Sequence, residues 1–340
     1  MNQEEKKYYN ALNVLYKCSY TKLKKAEEYF NTWKEAWESE GNRSVDVDNE
    51  WAKLEKLGIL VVLKKDSTYP EYLKEISSPP FGLYVLGDLN YSHPSIAVVG
   101  TRAATPKGRE YARDFAFRLG DAGFSIISGL AMGVDEQAHK GALETNGKTI
   151  AVLGTALDNI YPKQNLNLAD KILKSGGAII SEFPLGQSYY PQNFLVRNRI
   201  ISGLVRGILV IEAPERSGSL ATARFALDQN KDIFVIPGDI NSKNYEGSNN
   251  LLKDGASLVT NVKDIFDYYG VEEKSKNSLS EEIIGNDGII LKTLKNNNGQ
   301  LTIDKLSEIT SINVEDLNKN LAMLIIKGII KEINGTYLLS

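Results

Sequence analysis

Six short uncharged runs dominated by Ile, Val, Leu, Phe and Ala constrain this chain's fold more than any other feature: 96–99, 125–128, 149–153, 178–181, 208–211 and 233–236. A strand with one wet face alternates apolar and polar residues, whereas a run without such alternation is covered on both faces. Helix patterns lie between the runs. One begins at Thr105-Pro106, carries Tyr111, Phe115 and Leu119 at helical spacing, and stops at Gly123. Strands and helices alternating in this way predict an α/β fold built on a doubly wound, mostly parallel sheet. Such a sheet takes its ligands beyond the carboxyl ends of the strands.

The alternation spans about 59–269 and sets an α/β domain over 56–270. Before it, 1–55 is rich in Glu, Lys, Tyr and Trp and repeats Leu12, Leu15, Tyr16, Leu23, Ala26, Tyr29, Phe30, Trp33 and Trp37 at helical spacing, which predicts a small helical module. A polar stretch at 271–283 has little to bury and reads as a linker. Three helix patterns follow, marked by Ile289, Ile290 and Leu294, by Ile303, Leu306 and Ile309, and by Val314, Leu317, Leu321, Leu324 and Ile325. Two strand patterns, 329–333 and 336–339, are joined by Asn334-Gly335, a pair that favours a type I′ hairpin. Three helices and a hairpin over 284–340 predict a winged helix.

Composition excludes several classes of function. Lys and Arg number 40 against 43 Asp and Glu, a net charge of −3. That balance rules out a uniformly basic nucleic-acid coat but leaves local basic surfaces open. One cysteine, Cys18, forms no disulfide within the chain, and one cysteine with two histidines is too few for a Cys/His zinc site. No G-x-G occurs despite 28 glycines, and no P-loop or G-x-S-x-G elbow is present, so neither cofactor nor metal is expected. His139 reads as a helix-surface residue. The N-terminus lacks an apolar leader and no long apolar run follows, so the expected location is cytoplasmic, away from membranes.

The strand ends carry small, polar and basic residues. Gly100-Thr101-Arg102 precedes a helix start at Thr105, where free amides and the helix dipole favour an anion. Ser128-Gly129-Leu130-Ala131-Met132-Gly133-Val134-Asp135 offers close backbone approach, with Asp135 expected to cap the next helix. Tyr161-Pro162-Lys163-Gln164-Asn165 adds a cation and an amide, and Ser217-Gly218-Ser219-Leu220-Ala221-Thr222 presents amides and hydroxyls. From 193 to 224, five arginines (Arg197, Arg199, Arg206, Arg216, Arg224) face two acids (Glu212, Glu215). Cations gathered at the ligand edge point to a polyanion. Phe194 is either a flat surface for an unpaired base or a core aromatic.

These motifs, in order with Val98-Val99, Ser181-Glu182-Phe183-Pro184, Glu212-Ala213, Ile236-Pro237-Gly238 and Ser248-Asn249-Asn250-Leu251-Leu252, closely resemble the bacterial DNA-processing protein A family, also called Smf. The resemblance implies an extended Rossmann-like fold that binds single-stranded DNA, forms homodimers and helps load the RecA recombinase onto incoming DNA in natural transformation. It also implies a sterile-alpha-motif-like N-terminal module and, in many members, a C-terminal winged helix. Two departures stand out: the N-terminal segment lacks a Gly-containing helix-hairpin-helix turn, and Met132 stands where members often have Arg or another residue.

On this reading Arg102 and Lys163 hold phosphates, with Thr101, Ser128, Asn165, Asn198 and Thr222 beside them. Gly100, Gly129, Ser217, Gly218 and Ser219 offer amides or hydroxyls, Phe194 stacks a base, and Arg197 and Arg199 line or brace the groove. The rival reading is a lonely-guy-type nucleotide phosphoribohydrolase using Glu182 or Glu212, but the loop matching that family's glycine-rich motif ends here in Arg224 rather than an acid. A non-enzymatic binding protein is therefore expected.

Overall fold

In chain order, the uncharged runs and three further strands give β1 (Leu60–Leu63), β2 (Gly82–Gly87), β3 (Ser95–Val99), β4 (Ser125–Ser128), β5 (Thr149–Leu153), β6 (Ala178–Ser181), β7 (Gly207–Val210), β8 (Asp232–Val235) and β9 (Ser257–Leu258). They form one sheet ordered β1-β2-β6-β5-β4-β3-β7-β8-β9. From β6 to β9 every neighbouring pair is parallel, whereas β2 runs antiparallel to both β1 and β6. The computed structural model describes residues 3–40, 44–91, 94–271 and 286–339, apart from 298, 327 and 334. The described residues form two units divided after 272.

The parallel strands are buried on both faces, as their composition predicts. Strand β3 sends Ile96 and Val98 into one core and Ala97 and Val99 into the other. Fully burying each such Val or Ile side chain contributes roughly 1.5–3 kcal/mol. The helices that cover the sheet and frame its ligand edge are α6 (Pro106–Asp121), α7 (Val134–Ala142), α8 (Leu166–Lys174), α9 (Pro191–Gly203), α10 (Gly218–Asp228), α11 (Glu246–Lys253) and α12 (Lys263–Tyr269). Thr105 caps α6 by accepting from Gly108 N, with Pro106 at the first helical position. Strand order reverses at β3, whose neighbours are β4 and β7, so the topological switch point lies between β3 and β7.

Ahead of the sheet stand α1 (Gln3–Leu15), α2 (Tyr20–Tyr29), α3 (Trp33–Ser39) and α4 (Val47–Lys56), with a short α5 (Glu71–Lys74) after β1. They share a core with it: the Trp33 ring lies 5.2 Å from that of Tyr9 and 6.1 Å from that of Phe81. Buried Asn13 donates from Nδ2 to the Tyr84 hydroxyl at 3.1 Å and to the Glu182 carbonyl at 3.2 Å. One compact unit therefore takes in both the helical segment and the sheet.

The second unit contains α13 (Asn286–Asn296), β10 (Gln300–Thr302), α14 (Ile303–Thr310), α15 (Val314–Ile326), β11 (Ile330–Ile333) and β12 (Thr336–Leu339). Its three strands pair antiparallel in the order β10-β12-β11 over a core of Ile290, Leu294, Leu306, Leu317, Leu321 and Leu324. The expected linker, Val271 aside, falls outside the described residues, as does Asn334 of the expected hairpin turn. Gly335 has a φ of +75°, the left-handed conformation that such a turn requires.

Two expectations need correction. His139 is not on a helix surface: it is fully buried, and its Nδ1 lies 2.7 Å from Thr149 Oγ1, which itself donates to the Ile126 carbonyl. Thr149 Oγ1 can therefore accept the ring N–H, and burial holds the imidazole neutral by pushing its pKa down to about 3. Asp135 does not cap α7, whose N-cap is Gly133. Its carboxylate instead turns back to accept from Gly129 N at 3.1 Å and Ala131 N at 3.4 Å.

Candidate functional site

A cleft of about 350 Å³ opens at the switch point. The loop after β3 supplies Gly100, Thr101 and Arg102, α9 supplies Phe194, Arg197 and Asn198, and the loop leading into α10 supplies Arg216, Ser217, Gly218 and Ser219, with Thr222 behind them. Two glycines are required by close approach. A Cβ on Gly100 would stand 2.5 Å from Val134 Cγ2, and one on Gly129 would stand 2.6 Å from Arg197 Nη2. Thr101 N donates to the Glu212 carbonyl at 2.7 Å, tying the two loops of the switch point together.

Arg197 sits at the base of the cleft, 5% exposed. Its Nη1 donates to the carbonyls of Gly129 and Val152, and its Nε donates to Asn198 Oδ1 at 3.1 Å. Burial lowers its pKa to about 10, a shift that nearby Asp135 opposes, so it remains a cation at neutral pH. Burial raises the Asp135 pKa, against the pull of Arg197 and the Ala131 and Gly129 amides. Arg102, Arg197 and Arg216 thus face a single lining acid, Asp135. Directly after Arg216, α10 begins, its N-cap Ser217 accepting from Ser219 N at 3.2 Å. Nothing stands within 4 Å of a Cβ built on Gly218, so this helix end is open to an incoming group. A helix start and arginine side chains are groups with which a protein can hold phosphate oxygens.

Four expected side chains lie elsewhere, and Gly129 lines only the hollow beside the cleft. Ser128 is fully buried and donates to the Val98 carbonyl at 2.7 Å. Buried Asn165 donates to the carbonyl of Leu130, a residue held at a φ of +61°. Arg199 is buried against Glu182, its Nη2 2.6 Å from both carboxylate oxygens. Lys163 is exposed and follows Tyr161 and Pro162, which line a smaller hollow beside the cleft with Arg102, Gly129, Met132, Phe194 and Arg197. Arg216 joins the cleft beyond the expected residues, and its place just before the N-cap of a strand-to-helix loop is the signal in the sequence that points to it. Phe194 is half-buried rather than a core aromatic.

The two acids considered for hydrolysis are both engaged. Glu212 is fully buried and accepts from Thr105 N at 3.0 Å, from the Thr105 hydroxyl, and from Asn244 Nδ2 at 3.1 Å. Glu182 is paired with Arg199. Neither lines the cleft. Among the described residues no group of three His, Cys, Asp or Glu converges as a cation site, and no helix is long and apolar enough to cross a membrane.

A doubly wound sheet whose switch-point cleft gathers arginines, hydroxyls and a helix start defines a Rossmann-like protein with a cationic cleft at its strand ends. The profile of the DNA recombination-mediator protein A family matches residues 60–270, and the chain belongs to that family. Protein Smf of Escherichia coli is 46% identical over 200 residues, 58% of this chain and 54% of that protein. DNA processing protein DprA of Streptococcus pneumoniae is 40% identical over 220 residues, 64% of this chain and 76% of that one. The chain spans about half the length of the Smf proteins of Escherichia coli and Synechocystis. The X-ray structure of the pneumococcal protein superposes with a TM-score of 0.60 at 37% identity, over 69% of this chain and 80% of that one. A Helicobacter pylori DNA processing protein A, solved for its single-stranded DNA binding mode, gives 0.56 at 30% identity, over 62% of this chain and 95% of its own.

Proposed function

We propose that the chain binds single-stranded DNA in the switch-point cleft and serves DNA uptake, protecting incoming strands and loading the RecA recombinase onto them. One observation carries the reading: Arg102, Arg197 and Arg216 converge with the open start of α10 on a cleft that holds one lining acid. Arg102 and Arg216 would pair with backbone phosphates, Arg197 would set the positive potential at the base, and the Ser217–Ser219 turn would donate to phosphate oxygens. Exposed Lys163 would meet phosphates beyond the cleft. The structures of relatives named above, one of them described for its single-stranded DNA binding, support the same substrate.

The protein would act as a homodimer without catalysing a reaction. Dimerisation would use the β8–β9 edge, where Leu227, Leu258 and Tyr268 are 67%, 55% and 53% exposed, because an uncovered edge invites pairing. The second unit, with its helix-strand-helix-helix-hairpin order, would be a winged helix that contributes little to DNA affinity. Its third helix opens with Glu315 and Asp316, and the Lys319 ammonium is already held 2.9 Å from Glu315. The hydrolase alternative loses both of its acids to internal bonding. The deciding experiment measures binding of single-stranded and double-stranded oligonucleotides at two salt concentrations. Tighter, salt-dependent binding of the single strand is expected; equal affinity, or none, would overturn the reading.

A further inference from the structure

Phe194, the side chain placed to stack a base, is itself packed by neighbours on several sides. The Arg102 guanidinium carbon lies 5.5 Å from its centroid. Tyr161 and Tyr189 flank it, their ring centroids 5.6 and 6.0 Å from its own. It also presses on the backbone at Gly154, where an added Cβ would meet Phe194 Cδ1 at 2.7 Å. The outer rings are differently placed. Tyr161 and Tyr189 are 37% and 40% exposed, their centroids 5.5 Å apart and their planes inclined by 35°. Tyr161 shares the small hollow with Arg102, Met132 and Arg197, at the border of the cleft.

We propose that Tyr161 and Tyr189 are the surface on which unpaired bases stack, with Phe194 as the pedestal that fixes them and carries Arg102. This rests on the cleft's binding single-stranded DNA. Three packed aromatics at a protein surface cost hydration free energy unless something planar or apolar covers them, and a strand whose phosphates lie on Arg102 brings its own bases to that border. Stacking needs only a π-face, so the surface accepts any base. A duplex keeps those faces inside its own stack, which makes the tyrosines a device for choosing single strands over double. Phe194 was legible in the sequence as an aromatic beside arginines. Tyr189 was not, because it stands in a loop 28 residues after Tyr161 and only the fold brings the two rings together.

The test compares a thymidine oligonucleotide with an abasic one of equal length on the full chain, read by fluorescence anisotropy, for the parent, Tyr189→Ala, Tyr161→Ala, Tyr189→Phe and Tyr189→Leu. Each alanine variant should lose about fivefold or more on the thymidine strand and less than about twofold on the abasic strand, with Tyr189→Phe close to the parent. Tyr189→Leu keeps apolar bulk without a flat ring, so it should show the same loss on the thymidine strand alone, even where the alanine variant folds poorly. Equal losses on both strands, unchanged binding of the thymidine strand, or rescue by Leu would overturn stacking; rescue by Leu would mark the patch as an apolar seat for a protein partner. A parent that binds neither strand would instead refute the proposed function itself, and with it this inference.

Discussion

Arg197 and Arg199 stand two residues apart on α9, and their substitution should fail in opposite ways. Arg199 and Glu182 are each 7% and 6% exposed, with the guanidinium on both carboxylate oxygens. Arg199→Met strands a buried carboxylate, and breaking a buried pair from one side costs about 3–5 kcal/mol, a large share of the ~5–15 kcal/mol that stabilises a typical domain. The double variant Glu182→Leu with Arg199→Met removes both charges, so most of that loss should return, to within about 1–2 kcal/mol of the parent. Urea unfolding followed by tryptophan fluorescence reads this cleanly, because all three tryptophans, Trp33, Trp37 and Trp51, are buried in the first unit. At denaturant-free conditions Arg199→Met should keep the parent's salt dependence for single-stranded DNA, whereas Arg197→Met should lower its slope by up to ~0.7. A cost below ~1 kcal/mol for Arg199→Met, a double variant no more stable than the single, or a reduced slope for Arg199→Met would refute the assignment of this arginine to structure.

Four further outcomes are expected. Arg102→Ala, Arg216→Ala and Lys163→Ala should each weaken single-stranded DNA binding and reduce the slope of log K against log salt by ~0.7; unchanged slopes in folded variants would remove these residues from the site. His139 ordinarily titrates near pH 6.5 but is held at about 3 in the folded chain, so the unfolded state takes up the proton first and stability falls as pH drops through that window. Urea unfolding should therefore show about 2 kcal/mol lost between pH 8 and pH 5, absent in His139→Leu, and a loss that persists in the variant would clear His139 of the effect. Sedimentation at micromolar concentration should give about twice the chain mass of 37.7 kDa, an expectation that a strict monomer would contradict. Deleting 284–340 should leave single-stranded DNA affinity within about threefold; a tenfold loss in a still dimeric protein would show that the second unit grips DNA.

What the sequence revealed and what it hid follow from the range of the interactions involved. Strands covered on both faces carry their own signature, so β4, β5 and β6 fall on the predicted residues and β3, β7 and β8 within one. Leu60–Leu63 and Gly82–Gly87 are as apolar, yet nothing local says that they pair antiparallel to each other and to β6. Two-residue β9 is too short for any periodicity. At the site, the loops were visible through their Gly, Ser, Thr and Arg content, but the direction of each side chain was not. Helical geometry alone separates Arg197 from Arg199: positions two apart point about 200° away from each other, so one reaches the cleft and the other the far side. Ser128 and Asn165 carry the chemistry expected of a ligand contact, but each is spent on a carbonyl that the backbone leaves without a partner, a demand that appears only once the chain is folded.

The cross-tie at the switch point also governs how the cleft can be entered. Thr101 N holds the Glu212 carbonyl while the Glu212 carboxylate holds Thr105 and Asn244, so both walls are fixed to one buried residue. The entropy of ordering these loops is lost during folding and not at the moment of contact. A flexible strand arriving at such a slot, as proposed, would do most of the adapting.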